Sequence, residues 1–181
     1  MNIVSIDFDI IMAPSIEFYN NLLSLKPPIL EDPLMQVCRA DCIHYHRLTK
    51  WLNQKIQFVD KENIIFIKSH EMINDYIQGE NITLYNIDHH HDLGYKEDNT
   101  VIHCGNWALH LLKEKKINKY IWINNENSNI GLIESVDFET QSLREFNLNT
   151  LKPDKIIICF SPEWIPKQFH PLYYLWIDLV S

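Results

Sequence analysis

Short apolar, β-branched runs alternate with amphipathic stretches along most of this chain. Residues 2–9 (NIVSIDFD) read as a buried strand that ends in carboxylates. Ser15 predicts the N-cap of a helix to about Leu25, with Glu17 well placed in its first turn. Pro27, Pro28 and Pro33 make 26–33 a loop. Asp41 predicts the cap of a helix to about Gln54, and 64–68 (IIFIK) the next strand, followed by a short helix through Ile77. Gly79 breaks the pattern before a strand over 82–87 (ITLYNI). Residues 89–101 read as an irregular loop and 107–116 as a helix, with further strands over 119–123, 131–138 and 155–160. The apolar tail 172–180 fits strand or helix, core or dimer contact. Strands alternating with helices predict a single α/β domain over 1–181, three-layered α/β/α with a mostly parallel central sheet.

In such sheets chemistry collects at the carboxyl ends of strands. Asp88-His89-His90-His91-Asp92 directly follows the strand over 82–87. Five consecutive ionisable groups at a buried strand end are costly unless something pairs with them. An extended backbone would aim Asp88, His90 and Asp92 at one point, and their mixed oxygen and nitrogen donors suit manganese, iron or zinc better than calcium. A solvated polar loop is the plainer alternative. Asp7 and Asp9 end another strand in the same way; alone they read as turn caps, but with the first cluster they supply what a two-metal site needs. His70 follows 64–68 and offers an imidazole at a third strand end, or merely opens a helix. Glu163, in Ser161-Pro162-Glu163-Trp164, would place a carboxylate for a cationic substrate at a fourth, or favour a helix start. His103 would shuttle protons at the mouth with Asn106 positioning substrate, the plainer alternative being a surface histidine and an N-cap asparagine. Cys38, Cys42, His44 and His46 superficially suggest zinc, yet no second pair matches them, and Tyr45 and Trp51 point to a packing helix.

Composition narrows the partners. The 181 residues are 46% hydrophobic and 22% charged, enough for a real core, and a net charge of −8 argues against a broad nucleic-acid face. No run reaches the ~18 apolar residues of a membrane span. With aspartates inside its first apolar run and four scattered cysteines, the chain is expected to be cytoplasmic with reduced thiols.

Together these residues resemble the arginase/deacetylase fold, and the ureohydrolases in particular. Asp88-x-His90-x-Asp92 is similar to that family's DAHxD motif, with His89 in place of alanine, and Ser5-x-Asp7-x-Asp9 to the start of its SxDxDxxDP motif. Met12 stands where a third aspartate would be, and Pro14 comes one residue late. Ser69-His70 is what remains of GGDHS. The strand carrying Asp7 opens the chain, whereas arginases place it after DAHxD. That reordering, with Gly105-Asn106-Trp107 and the Glu163 segment, looks more like a divergent branch that includes the peptide arginases. The resemblance implies a compact arginase-like fold with reordered strands. It implies six ligands (His70, Asp88, His90, Asp92, Asp7 and Asp9) for two manganese ions. It also implies hydrolysis of arginine side chains in a ribosomally made peptide to ornithine and urea. Glu163 would bind the guanidinium, and Asp92 or His103 would relay a proton. Free arginine or another small guanidino compound is the nearest alternative substrate, and a metal-dependent deacylase on the same fold the next. Tyr173, Tyr174 and Trp176 in the tail would serve a partner or a second copy.

Overall fold

The structure is a computed structural model that describes residues 1–13, 39–40, 42–94, 100–125, 128, 136–165 and 167–181. Its centre is a six-stranded sheet built from β1 (Asn2–Asp7), β2 (Ile64–Ile67), β3 (Thr83–Ile87), β4 (Lys119–Asn124), β5 (Glu139–Ser142) and β6 (Lys155–Cys159). The order across the sheet is β2-β6-β1-β3-β4-β5, and every pairing is parallel. This is an α/β fold, as the alternation predicts. A two-residue antiparallel ribbon, Met12–Ala13 with Arg39–Ala40, lies outside it.

The central strands are apolar on both faces because both faces are covered. Val4 and Ile6 of β1, Ile121 and Ile123 of β4 and Ile156 and Ile158 of β6 enter one buried cluster. Helix α1 (Cys42–Lys55) adds Leu48, Trp51 and Leu52 to it, and helix α3 (His170–Val180) adds Tyr173 and Trp176. The alternate positions Ile3, Tyr120, Trp122, Ile157 and Cys159 enter a second cluster with Trp107, Ala108 and Leu111 of helix α2 (Trp107–Lys113). The ambiguous tail is therefore a helix, started by Pro171 in its first turn, with Tyr173 and Trp176 in the core and Tyr174 and Leu175 left exposed.

Several boundaries differ from expectation. The strand expected over 131–138 is instead β5: residues 136–138 precede it unpaired, and 131–135 lie outside the described residues. β5 reads Glu-Thr-Gln-Ser and carries no apolar signal, because it is a polar edge strand held by its ladder to β4. The short helix after β2 is a 3-10 segment, His70–Asp75. Expectations for 15–25, 26–33, Cys38 and the cap Asp41 fall outside the described residues.

The sheet order fixes where chemistry sits. From β1 the chain leaves for the far edge at β2, then returns to pair β3 on the other side of β1. Neighbouring strands thus depart from β1 in opposite directions, which opens a crevice at the carboxyl ends. Asp7 ends β1 and Asp88 directly follows β3, while His70 and Ser161 lie three and two residues beyond the ends of β2 and β6.

Candidate metal centre

β1 ends at Asp7 because the chain turns there. The Asp9 amide donates to Asp7 Oδ1 at 3.2 Å, and Phe8–Ile11 continues as a 3-10 turn. Asp9 is therefore on a turn and not, as expected, on the strand. The same device operates after β3. The His90 amide donates to Asp88 Oδ1 at 2.7 Å, and Asp92 adopts a left-handed φ of 52°. The extended backbone expected for 88–92 is absent, and turns bring the side chains together instead.

All six expected ligands converge. His70 Nδ1 lies 3.1 Å from Asp7 Oδ2, 3.2 Å from Asp88 Oδ2 and 3.2 Å from Asp92 Oδ2. His90 Nδ1 lies 3.0 Å from Asp9 Oδ2 and 3.8 Å from Asp88 Oδ1. Asp88 thus faces one group with each of its oxygens. Three sets of donor atoms fall within 4.8 Å of one another: His70, Asp88 and Asp92; Asp9, Asp88 and His90; and Asp7, His70 and Cys159.

The electrostatics are those of a site short of positive charge. Burial pushes Asp88 up to about 7, helped by Asp92 and Asp7, and burial with Asp7 and Asp88 pushes Asp9 up to about 6. Burial would depress His90, but Asp9 and then Asp88 outweigh it and hold the imidazole up at about 10. His70 stands well above the usual histidine value, because Cys159 and Asp7 outweigh burial. For Asp7 burial acts upward, yet His70 beside it keeps the carboxyl below its ordinary range. Asp9 Oδ1 is buried without a hydrogen-bond partner. Four crowded carboxylates, two imidazoles and an orphaned carboxylate oxygen fit a divalent cation.

A ring of neighbours holds these groups in place. His70 Nε2 meets Ser5 Oγ at 3.0 Å, so a proton on Nε2 leaves Nδ1 free to ligate. Trp107 Nε1 donates to Asp92 Oδ2 at 2.6 Å, and Asn86 Nδ2 donates to Asp88 Oδ2 at 3.0 Å and to the Tyr120 hydroxyl at 2.9 Å. Ser161 Oγ donates to Asp7 Oδ2 at 2.8 Å and touches Cys159 Sγ at 3.2 Å. Sequence reasoning passed over Trp107, Asn86, Tyr120, Ser161 and Cys159. The signal was there for two of them. Cys159 pairs in register with Asp7, and Ser161 lies just past the end of that strand, but register is invisible without the sheet order.

Partners of this kind are worth about 10–100-fold in metal affinity. Ser5→Ala and Trp107→Phe are each expected to weaken divalent-cation binding by that factor in titration calorimetry, with the far-ultraviolet circular dichroism spectrum unchanged. Wild-type affinity in either variant would remove its residue from the support of the site.

The remaining candidates divide. Asn106 is spent on its own loop: its Oδ1 accepts from the His103 amide at 2.8 Å and its Nδ2 donates to Val101 O at 2.9 Å. Both side-chain bonds thus brace the loop from which it was expected to position substrate. His103 Nδ1 accepts from the Gly105 amide at 3.1 Å, which assigns its proton to Nε2. Glu163 is exposed in the turn after β6. His89 and His91 are buried, and burial holds His89 down at about 4, so it is neutral. His44 is buried and His46 exposed, so they do not share a site. Among the described residues, no helix is long and apolar enough to cross a membrane.

No family model, curated protein or solved structure matches this chain.

Proposed function

We propose that this chain is an arginase-like two-metal hydrolase that converts arginine side chains of a ribosomally made peptide to ornithine and urea. The observation that carries the reading is Asp88, whose Oδ2 faces His70 and whose Oδ1 faces His90, so that one buried carboxylate serves two adjacent donor groups. His70, Asp7, Asp88 and Asp92 would hold one manganese ion, and Asp9, Asp88 and His90 the other. When bound, such a pair lowers the pKa of water towards ~7 and so supplies a nucleophile at neutral pH.

The protein's own groups do the rest. A guanidinium is planar and always charged, and Glu163 would pair with its nitrogens and turn its central carbon towards the metal centre. Water adds to that carbon, the bond to the side-chain nitrogen breaks, and the nitrogen takes a proton to leave as ornithine's amine. His103 Nε2 or Asp92 would deliver that proton. His90 is the exposed end of the ligand set, with a side chain 28% accessible, against 6% or less for Asp7, Asp9, His70, Asp88 and Asp92. A site that reaches the surface suits a side chain still attached to its peptide.

The test is mass spectrometry of an arginine-containing peptide and of free arginine, each incubated with manganese-loaded protein and with Asp88→Ala. Ornithine in the peptide with release of urea, and none with the variant, is the expected result. Turnover of free arginine alone would replace the peptide by a small guanidino substrate. With neither turned over, guanidine hydrolysis falls, and an acyl-lysine peptide becomes the next substrate to try.

A further inference from the structure

Trp164 is a large aromatic left in water beside the metal centre. Its side chain is 57% exposed, and its ring centroid lies 5.7 Å from that of His90, the ligand that opens to solvent. Ser161 adopts a left-handed φ of 45°, its amide donates to Lys68 O at 3.1 Å, and its hydroxyl donates to Asp7 Oδ2 at 2.8 Å. The Trp164 amide then closes the turn on Ser161 O at 2.9 Å, and Ile165 beyond it is buried. The turn is thus bolted to a metal-site carboxylate, while its indole faces outward at the entrance. Single exposed aromatics are common on protein surfaces, but this one is held by a tight turn against the ligand that opens to solvent.

The chemistry around it selects an occupant. Glu163 is exposed on the same turn, and Asp9 and Asp88 lie behind His90. An aromatic face beside carboxylates attracts a planar cation, by stacking and by the negative potential of the indole face. We propose that Trp164 is the specificity-determining wall of the entrance, stacking against the guanidinium-bearing side chain of an arginine peptide as it passes His90. This inference rests on the proposed arginine substrate and names the residue that recognises it.

Two measurements separate the fate of the inference from the fate of that reading. In the manganese-loaded protein, Trp164→Ala is expected to raise KM for the arginine peptide by roughly 3- to 30-fold, the range of a cation–π contact, with kcat within about 2-fold. Trp164→Phe should recover most of the loss, and Phe58→Ala, an exposed aromatic in the turn after α1, should match wild type. Before manganese is added, calorimetry should show tighter binding of the arginine peptide than of the same peptide carrying neutral citrulline, with the preference reduced by the same factor in Trp164→Ala. Unchanged KM and unchanged preference in Trp164→Ala would overturn the inference and leave the hydrolase standing. A preference that depends on Trp164, without turnover, would keep the inference and overturn the hydrolase. No preference and no turnover in wild type would overturn both.

Discussion

Asp88→Asn should lower the affinity for manganese by more than about 100-fold and silence any hydrolysis that depends on it, because a lost ligand costs more than a lost outer partner. Asp88 is fully buried, and each of its oxygens faces a different imidazole across the crevice. The amide keeps the shape but supplies one oxygen and no charge, so both donor groups weaken together. Stability should move the other way. Burial and the neighbouring Asp92 and Asp7 disfavour the charged Asp88 carboxylate. Removing its charge from the metal-free protein relieves that repulsion, and at pH 8 metal-free Asp88→Asn should melt no lower than metal-free wild type. Opposite signs for binding and melting are the mark of a residue kept for function against the interest of the fold. Wild-type manganese affinity in Asp88→Asn would remove it from the ligand set.

The second large effect is on the melting temperature, through metal and pH together. Asp88, at about 7, and His90, at about 10, hold protons in the folded state that the unfolded chain releases at about 3.8 and 6.5. His70 is shifted in the same direction. A folded state that binds more protons loses stability as pH rises. Below pH 6.5 the neutral, buried His89 and the depressed Asp7 act in the opposite sense. Above pH 6.5 the shifted groups of the site agree. The metal-free protein should therefore melt progressively lower from pH 6.5 to 9. Manganese at 100 times its dissociation constant adds about 2.7 kcal/mol, or roughly 5–10 °C for a chain of this size. Because binding expels the protons on Asp88, His70 and His90, at a fixed manganese concentration the increment should grow with pH. Scanning fluorimetry at pH 6.5, 7.5 and 8.5, with and without manganese, checks both slopes. A metal-independent melting temperature would mean that these groups hold no ion.

The elements most legible in the sequence were those whose signal is local. β1, β3, β4 and β6 are built around apolar residues, with Ser5 and Asn86 as polar interruptions, and burial on both faces favours that pattern whatever the neighbours. β5 was misplaced for the same reason: an edge strand of polar residues exists only because β4 offers it a ladder. The six candidate ligands were legible because clustered carboxylates and histidines at strand ends are expensive without a partner. The residues that hold them were not. Trp107 and Tyr120 sit in an expected helix and an expected strand, and only the position of their polar atoms turns them into hydrogen-bond donors to Asp92 and to the His91 carbonyl. Asn106 holds its own loop through both ends of its amide, which only the loop's geometry reveals.

The sequence alone determined the α/β class and the inventory of chemistry, since hydrophobic periodicity and residue type are properties of position along a chain. The tertiary structure decided which strands are neighbours and therefore which side chains meet. Asp7 and His70 are 3.1 Å apart because β6 joins the edge strand β2 to β1, and Asp88 reaches both because β3 lies on the other side of β1. The structure also replaced the expected extended backbone with turns: Asp7 and Asp88 capture the amides of Asp9 and His90 two residues on, and Asp92 takes a left-handed φ. Convergence across 85 residues of sequence, from Asp7 to Asp92, is a matter of pairing order, which local patterning does not encode.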